Sequence, residues 1–595
     1  MTPIDWIIVL IYFALTTSLG ILLSRRASRS LEDFFVSGRS LPWWLAGTSM
    51  AATTFSIDTP LYICGIVASR GIAGNWEWWS FGISHVILIY IFAKMWRRAE
   101  IVTDAELTEI RYGGRNAAIL RATKAFLFAV PINCIGIGYA MLAMVKVVDA
   151  LELWQSLGVN PGENLKIWSV VGVSVLVLLY SGFSGLWGVV ATDFFQFFLA
   201  LLGAIAVAIV AVNHVGGIHE LIPQVQEASN IDVLSFFPFQ FSNGSMGWSD
   251  AAGITATTFS AYLFIQWWSF RRSDGGGEFI QRLIAAKDEA EAEKSSWFFN
   301  ILHYGIRTWP WIIVALVAIV IYPELEDKEL AYPKLMLDFL PPVILGLVVT
   351  SLIAAFMSTV STSINWGASY LTNDIYRRFL KPDASQEELV MMGRLFSILV
   401  TVFGAIAALN STDITTVFRL VIAIGTGPGL VLILRWFWWR INAAAELAAM
   451  VGGFVIGLIT SINPEFNELF PDFGYKLLFI SAVTALLWIA VMYLTPPESD
   501  ATLEEFYRRV QPGGIGWKKQ RERTGIPAAQ NLTQDLLRVI AATFLLFGTM
   551  FAIGGFLLLQ SVTGFISLIV AVISGFWLRQ LSKHKPIVMP KPGLE

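Results

Sequence analysis

The sequence predicts an all-α polytopic membrane protein of about 15 transmembrane helices. Three observations predict it: apolar stretches recur along the whole chain, charge is scarce within them, and basic residues gather in alternate loops. Of the 595 residues, 55% are hydrophobic and 14% charged, with a mean hydropathy of +0.63. Soluble chains carry about a quarter charged residues. A membrane-crossing helix needs about 20 mostly apolar residues, whereas a barrel would show short alternating segments.

Stretches of that kind lie at 6–23, 42–69, 76–96, 122–149, 166–186, 189–213, 251–270, 297–322, 342–374, 392–410, 415–438, 443–462, 475–495, 535–558 and 561–579. The first reads as a retained span and not a cleaved leader, because no basic region precedes Trp6 while Arg25 and Arg26 follow it. One set of loops carries Arg25, Arg26, Arg29 and Arg39; Arg97 and Arg98; Arg271 and Arg272; Arg377, Arg378 and Lys381; and Lys518, Lys519, Arg521 and Arg523. The opposite set carries Glu220, Glu227, Asp232, Glu324, Glu326 and Asp327. The positive-inside rule then places the amino terminus outside and the carboxyl terminus in the cytoplasm. Segments near 103–112 and 282–295 read as short amphipathic helices, and the polar stretch 497–532 as a linker to two accessory spans.

Other function classes find little support. The net charge of −3 says little in a chain that sorts its charges by side. Cys64 and Cys134 lie in apolar segments and read as buried thiols. Gly275, Gly276 and Gly277 lack the Lys-Ser/Thr that completes a phosphate loop. An enzyme is not expected, nor is a nucleic-acid partner, an obligate protein partner or a bound organic cofactor.

Function is expected where polar residues interrupt the spans. The second span contains the run Ala51 to Pro60, with Thr53, Thr54, Ser56, Asp58 and Thr59. Pro60 cannot donate a helical hydrogen bond and crowds the carbonyl of Ser56. Freed carbonyls of that kind line midplane sites in transporters, although hydroxyls can also satisfy an ordinary proline kink. Asp58 adds a carboxylate, which costs some 2.5–3.5 kcal/mol in a span and usually faces a cavity. In the ninth span Ala355, Ser358, Thr359 and Thr362 share one helix face. Their neutral oxygens suit an alkali cation, and equally suit helix packing. Arg307 and Arg419 could receive a carboxylate substrate, but each sits near the polar portion of a span and reads first as a structural charge that pairs or snorkels.

Several stretches taken together resemble the sodium:solute symporter family. They are Tyr180-Ser181-Gly182-Phe183-Ser184-Gly185-Leu186-Trp187 leading into Thr192-Asp193, Phe279-Ile280-Gln281-Arg282 followed by Ala285-Ala286-Lys287, and Ala355, Ser358 and Thr359 followed by Thr372-Asn373-Asp374-Ile375-Tyr376. The resemblance covers roughly residues 5–460. It implies a five-plus-five inverted-repeat core of the LeuT type, with accessory helices. The implied division is an accessory helix and cytoplasmic loop at 1–40, repeats at 41–215 and 251–441, and an extracellular loop at 216–250. Accessory helices follow at 442–496, a cytoplasmic loop at 497–532, two more helices at 533–580 and a cytoplasmic tail at 581–595.

The same resemblance implies a sodium ion held by the carbonyls of Ala52, Phe55 and Ala355 and the hydroxyls of Ser358 and Thr359. A second sodium would use Asp193, Ser358, Ser361 and Thr362. Substrate would meet Thr53, Thr54, Asp58, Thr59, Glu77, Gln266, Trp267 and Trp268, one Trp acting as inner gate. For the tryptophans an interfacial belt is the other reading. The stretch 271–275 looks inserted relative to commoner members.

The expected activity is therefore sodium-coupled import of a small polar solute (sugar, polyol, amino acid or carboxylate) across the plasma, or inner, membrane. Na+ is the coupling ion, and the partners are solute, sodium and the lipid bilayer. The rival readings are a proton-coupled transporter titrating Asp58 or Asp193, a transporter-like membrane sensor, and a channel.

Overall fold

A computed structural model describes residues 1–27, 29–181, 185–242 and 245–583. Gly182, Phe183 and Ser184 of the expected signature, and tail residues 584–595, lie outside the described residues. The helices used below are α1 (Pro3–Ala27), α2 (Trp43–Thr53), α3 (Asp58–Arg70), α4 (Ile72–Ala99), α5 (Gly114–Ala150), α6 (Leu165–Ser181) and α7 (Gly185–His214). There follow α8 (256–269), α9 (Gly277–Ala285), α10 (Glu289–Ile321), α11 (Ile344–Leu380), α12 (Gln386–Leu409), α13 (Ile414–Gly425) and α14 (Gly429–Leu434). The chain continues through α15 (Ala443–Ile462), α16 (Phe473–Leu494), α17 (Asp500–Val510), α18 (Leu532–Leu557) and α19 (Ser561–Lys583).

Among the described residues, eleven helices are long and apolar enough to cross a membrane, or twelve if the bent pair α2–α3 is one span. The other three expected spans, 166–186, 251–270 and 415–438, fall on shorter helices: α6, α8, and α13 with α14. Among the described residues twelve of the 15 expected spans are met by length; of the others, 251–270 and 415–438 are interrupted by turns, and 166–186 runs into residues outside the described ones.

Those interruptions organise the fold. α2 and α3 meet at 56° across Thr54–Ile57. Pro60 sits in the first turn of α3, where a missing N–H costs nothing. It therefore starts the second half-helix and does not kink a continuous one. The Ser56 carbonyl, expected to be freed, accepts from the Thr59 N–H at 3.1 Å.

α8 and α9 are broken in the same way. Their connection runs over the stretch that looked inserted, turning at Gly275 (φ +135°) and Gly276 (φ +73°), backbone angles that only glycine adopts freely. Asp274 pins this turn, pairing with Arg435 at 2.7 Å and accepting from Trp436 Nε1 at 3.1 Å. The α13–α14 break lies against it: Arg271 N donates to Gly425 O and Gly427 N to Ser269 O, both at 2.8 Å.

The expected amphipathic segment at 282–295 divides into α9, which is buried along its whole length, and the start of α10, capped by Asp288. Near 103–112 the helix is five residues, Leu107–Arg111. The 497–532 stretch is more than a linker. Arg111 stacks on Phe506 and Trp517 there, and Trp517 Nε1 donates to Trp436 O at 2.8 Å. α18 packs on α10 so closely that a Cβ on Gly554 would fall 1.9 Å from the Trp309 ring. Asp5 of α1 caps α11, accepting from Val343 N at 2.8 Å and Gly346 N at 3.0 Å. A carboxylate there satisfies otherwise orphaned N–H groups at a helix start.

Candidate functional site

α11 runs past the α2–α3 break, and its hydroxyls fasten to what surrounds it. Thr359 Oγ1 donates to the carbonyl oxygen of Thr53 at 2.9 Å, the last residue of α2. Ser358 Oγ donates to Asp193 Oδ1 of α7 at 2.6 Å. Ala52, Phe55, Ala355 and Ser358 are all buried here, and the Phe55 ring meets Trp311 edge-on at 4.6 Å. Each hydroxyl spends its one proton on these bonds and keeps lone pairs to offer a cation. The Ala52 carbonyl accepts from Phe55 N at 3.0 Å and retains a second lone pair. The five oxygens expected to hold the first sodium thus come from the end of α2, the unwound segment after it, and α11, which runs past the break.

The second expected set sits deeper and has a resident cation. Asp193 is fully buried, accepts from Ser49 Oγ as well as Ser358, and lies 3.6 Å from the guanidinium of Arg282. Arg282 Nη2 donates to Thr362 Oγ1 at 2.6 Å, and its Nε donates to Ser49 Oγ at 3.0 Å. Thr53 Oγ1 completes the cluster 3.2 Å from Thr362 Oγ1. Ser361 Oγ turns back to donate to Ser358 O at 3.2 Å. Arg282 has no assigned role in the sequence reading. The signal available there is that it is the lone charge between Phe279 and Ala286, at the start of the segment expected to form an amphipathic helix.

The expected substrate residues divide into two groups. Thr53, Thr54, Asp58 and Thr59 line the break itself. Thr54 Oγ1 lies 2.9 Å from His303 Nδ1, and His303 Nε2 lies 3.3 Å from Arg307 Nη2. Arg307 Nη1 donates to the Ala51 carbonyl at 3.2 Å. His303 belongs to a π-helical stretch of α10, Ile301–Ile306, which puts it and Arg307 on the break; such bulges are frequent at functional sites. Asp58 Oδ2 accepts from Tyr139 Oη of α5.

Glu77 and Gln266 form a separate cluster at the far end of α3. Glu77 is paired to Arg70 and, at 3.4 Å, to Arg419. It also accepts from Tyr62 Oη at 2.8 Å and Tyr262 Oη at 2.6 Å, while Gln266 Nε2 donates to its backbone carbonyl at 2.6 Å. Trp267 Nε1 and Trp268 Nε1 donate to carbonyls of their own helix, Leu263 and Phe264. The structure brings neither indole to the break through a hydrogen bond. Arg419 pairs as expected of a structural charge, but Arg307 does not: it is 2% exposed and has no carboxylate of the described residues within 4.0 Å.

A polytopic helical membrane protein with a broken span, hydroxyls on a crossing helix and buried charges around them has the build of a secondary transporter. The profile described as "Sodium:solute symporter family" matches residues 34–453, and the chain belongs to that family. It is 26% identical over 509 residues to a sodium/glucose cotransporter of Vibrio parahaemolyticus, covering 81% of this chain and 89% of that one. To a mouse sodium/myo-inositol cotransporter it is 24% identical, covering 83% and 73%. The fold matches the substrate-bound outward-open state of a Na+-coupled sialic acid symporter with a TM-score of 0.65 and 21% identity, over 84% of this chain and 99% of that one. These matches make the chain an integral membrane transporter, not an enzyme, that couples Na+ to the symport of a small solute on a LeuT-like fold.

Proposed function

We propose that the protein imports a small polar organic solute with sodium by alternating access, working in the plasma, or inner, membrane with its amino terminus outside. The observation that carries this reading is the bond from Thr359 Oγ1 to the Thr53 carbonyl. It ties the hydroxyl face of α11 to the broken helix, so a cation between them feels any change in the break. Sodium is assigned to Ala52, Phe55, Ala355, Ser358 and Thr359, whose oxygens are hard and neutral. A second sodium at Asp193, Ser358, Ser361 and Thr362 would share those oxygens with Arg282, which supports the first set as the coupling site. The division into repeats at 41–215 and 251–441 is supported by the breaks in α2–α3 and α8–α9, one near the start of each half.

Coupling follows from differential binding. A sodium ion falling through 100 mV releases about 2.3 kcal/mol, and a tenfold gradient adds about 1.4 kcal/mol. One ion can thus sustain about 500-fold accumulation of a neutral solute. If sodium favours the outward-open state it shifts the population toward solute capture, and solute must tighten sodium binding by the same factor.

The test compares thermal stability of purified protein in sodium and in potassium at equal ionic strength. A ligand of the folded state adds about 2.7 kcal/mol at 100 times its Kd. Sodium-specific stabilisation, absent from the double variant Ser358→Ala/Thr359→Ala, is the expected result. Equal stability in both salts, with stability following pH through Asp58 or Asp193, would replace sodium with the proton.

A further inference from the structure

Buried carboxylates in this protein come with cations. Within 4.0 Å, Glu77 has Arg70, Asp104 has Lys124, Asp193 has Arg282, Asp274 and Glu446 share Arg435, Glu278 has Arg272, Asp374 has Arg121, Glu329 has Lys146 and Asp535 has Arg538. Asp5 has none but caps α11 through two backbone N–H groups. Among the described residues Asp58 remains. It is 5% exposed, its Oδ2 is bound by the neutral Tyr139 hydroxyl, and the neutral Ser56 hydroxyl is the other side chain acting on it. The α3 start favours its charge but supplies no counter-ion. Ser56 Oγ is itself buried and has no further partner.

Among the described residues three buried guanidinium groups likewise lack a carboxylate within 4.0 Å: Arg111, Arg271 and Arg307. Arg111 is spent on the carbonyls of Arg435 and Trp438, and Arg271 lies against the rings of Phe128, Phe270 and Trp366 in the α8–α9 connection. Only Arg307 stands at the α2–α3 break. Its Nε has no partner, and no carboxylate of the described residues, Asp58 included, lies within 4.0 Å of it. A buried charge costs several kcal/mol unless it is matched. An opposite pair held apart on either side of an unwound segment is the complement of a ligand carrying both charges.

We infer that the transported solute is a small zwitterion of the amino-acid class, its carboxylate received by Arg307 and its ammonium by Asp58 Oδ1 with Ser56 Oγ. The inference rests on the symport reading and narrows its solute. A guanidinium suits a carboxylate because its N–H groups match two oxygens at once. A hexose or polyol would leave both charges unneutralised, and a monocarboxylate would leave Asp58 so.

The test is a thermal-shift panel on the purified full chain, run in sodium and in potassium. The probes are the standard amino acids and glycine betaine, neutral hexoses and inositol, monocarboxylates without an amine, and amines without a carboxylate. One or more zwitterions should stabilise the protein in sodium, and the neutral sugars should not. Arg307→Gln and Asp58→Asn should each weaken that zwitterion at least about 30-fold, the lower end for breaking one side of a buried charge pair. Arg307→Lys should recover part of the loss. Each variant must keep the shift produced by sodium alone, which shows that it folds and holds the ion. Stabilisation by a hexose or polyol without any zwitterion, or by monocarboxylates as strongly as by zwitterions, would overturn the inference. So would a sodium shift with no zwitterion response. A zwitterion that stabilises equally in both salts would keep the solute class and remove the sodium coupling, so the two readings fail separately.

Discussion

Two aspartate–arginine pairs stand within the same bundle and are built in opposite ways. Asp193 and Arg282 are both fully buried and lie 3.6 Å apart, with Ser49, Ser358 and Thr362 taking up the remaining polar atoms. Asp58 and Arg307 are buried almost as deeply, yet among the described residues neither has an opposite charge within 4.0 Å. The first pair joins α7 to α9 and α11 and is complete without a ligand. The second flanks the break between α2 and α3, where completion needs something from outside. A satisfied charge cluster can specify a packing arrangement, whereas an unsatisfied one marks a place where a ligand supplies the missing half. The difference separates the part of the core that holds the helices from the part that meets solute.

Breaking the first pair should have the largest effect. Arg282→Ala strands a buried carboxylate and should cost about 3–5 kcal/mol of stability, read from thermal unfolding in detergent. The double variant Arg282→Gln/Asp193→Asn removes both charges and should cost much less. Equal losses would mean that Arg282 acts through packing alone.

Next comes the contact that lets α9 carry Arg282 to α11. A Cβ on Gly277 would fall 2.0 Å from Trp366, so Gly277→Ala should cost about 1–3 kcal/mol as an overpacked core does. Full stability in that variant would show that α9 can slide without loosening the pair.

Thr359→Val keeps the side-chain shape and removes the hydroxyl that ties α11 to the Thr53 carbonyl. Sodium affinity, titrated by thermal shift, should fall at least about tenfold, or 1.4 kcal/mol, with stability in potassium changing less. The smallest effect is expected outside the bundle. Lys519 is an exposed partner of Asp500, and Lys519→Ala should leave both melting temperature and sodium response unchanged, as exposed ion pairs contribute little.

Much of this was legible from local pattern. The helix period put Ser358, Thr359 and Thr362 on one face of α11, and the structure spends them on Asp193, Thr53 and Arg282 in turn. Pro60 announced an interruption, although the break falls before it because proline is welcome in a first helical turn. Arg282 was harder to place, since its partner on α7 is 89 residues away and nothing local marks a long-range pair. For the same reason the sequence favours a paired or snorkelling Arg307 over one that receives a carboxylate substrate. Whether a carboxylate stands opposite a guanidinium depends on how distant helices pack. Glu77, grouped by sequence with the break, turned out to be neutralised by Arg70 and Arg419 in a cluster of its own.

The central claim is that sodium binds between α11 and the broken helix. Hydrogen–deuterium exchange on the purified protein, in sodium against potassium, tests it most directly. The account predicts slower exchange in sodium confined to peptides spanning the 51–58 break and residues 355–362, with the Asp193–Arg282 peptides unchanged. Exchange that is identical in both salts across 51–58, or sodium protection centred on α7 and α9 instead, would contradict it.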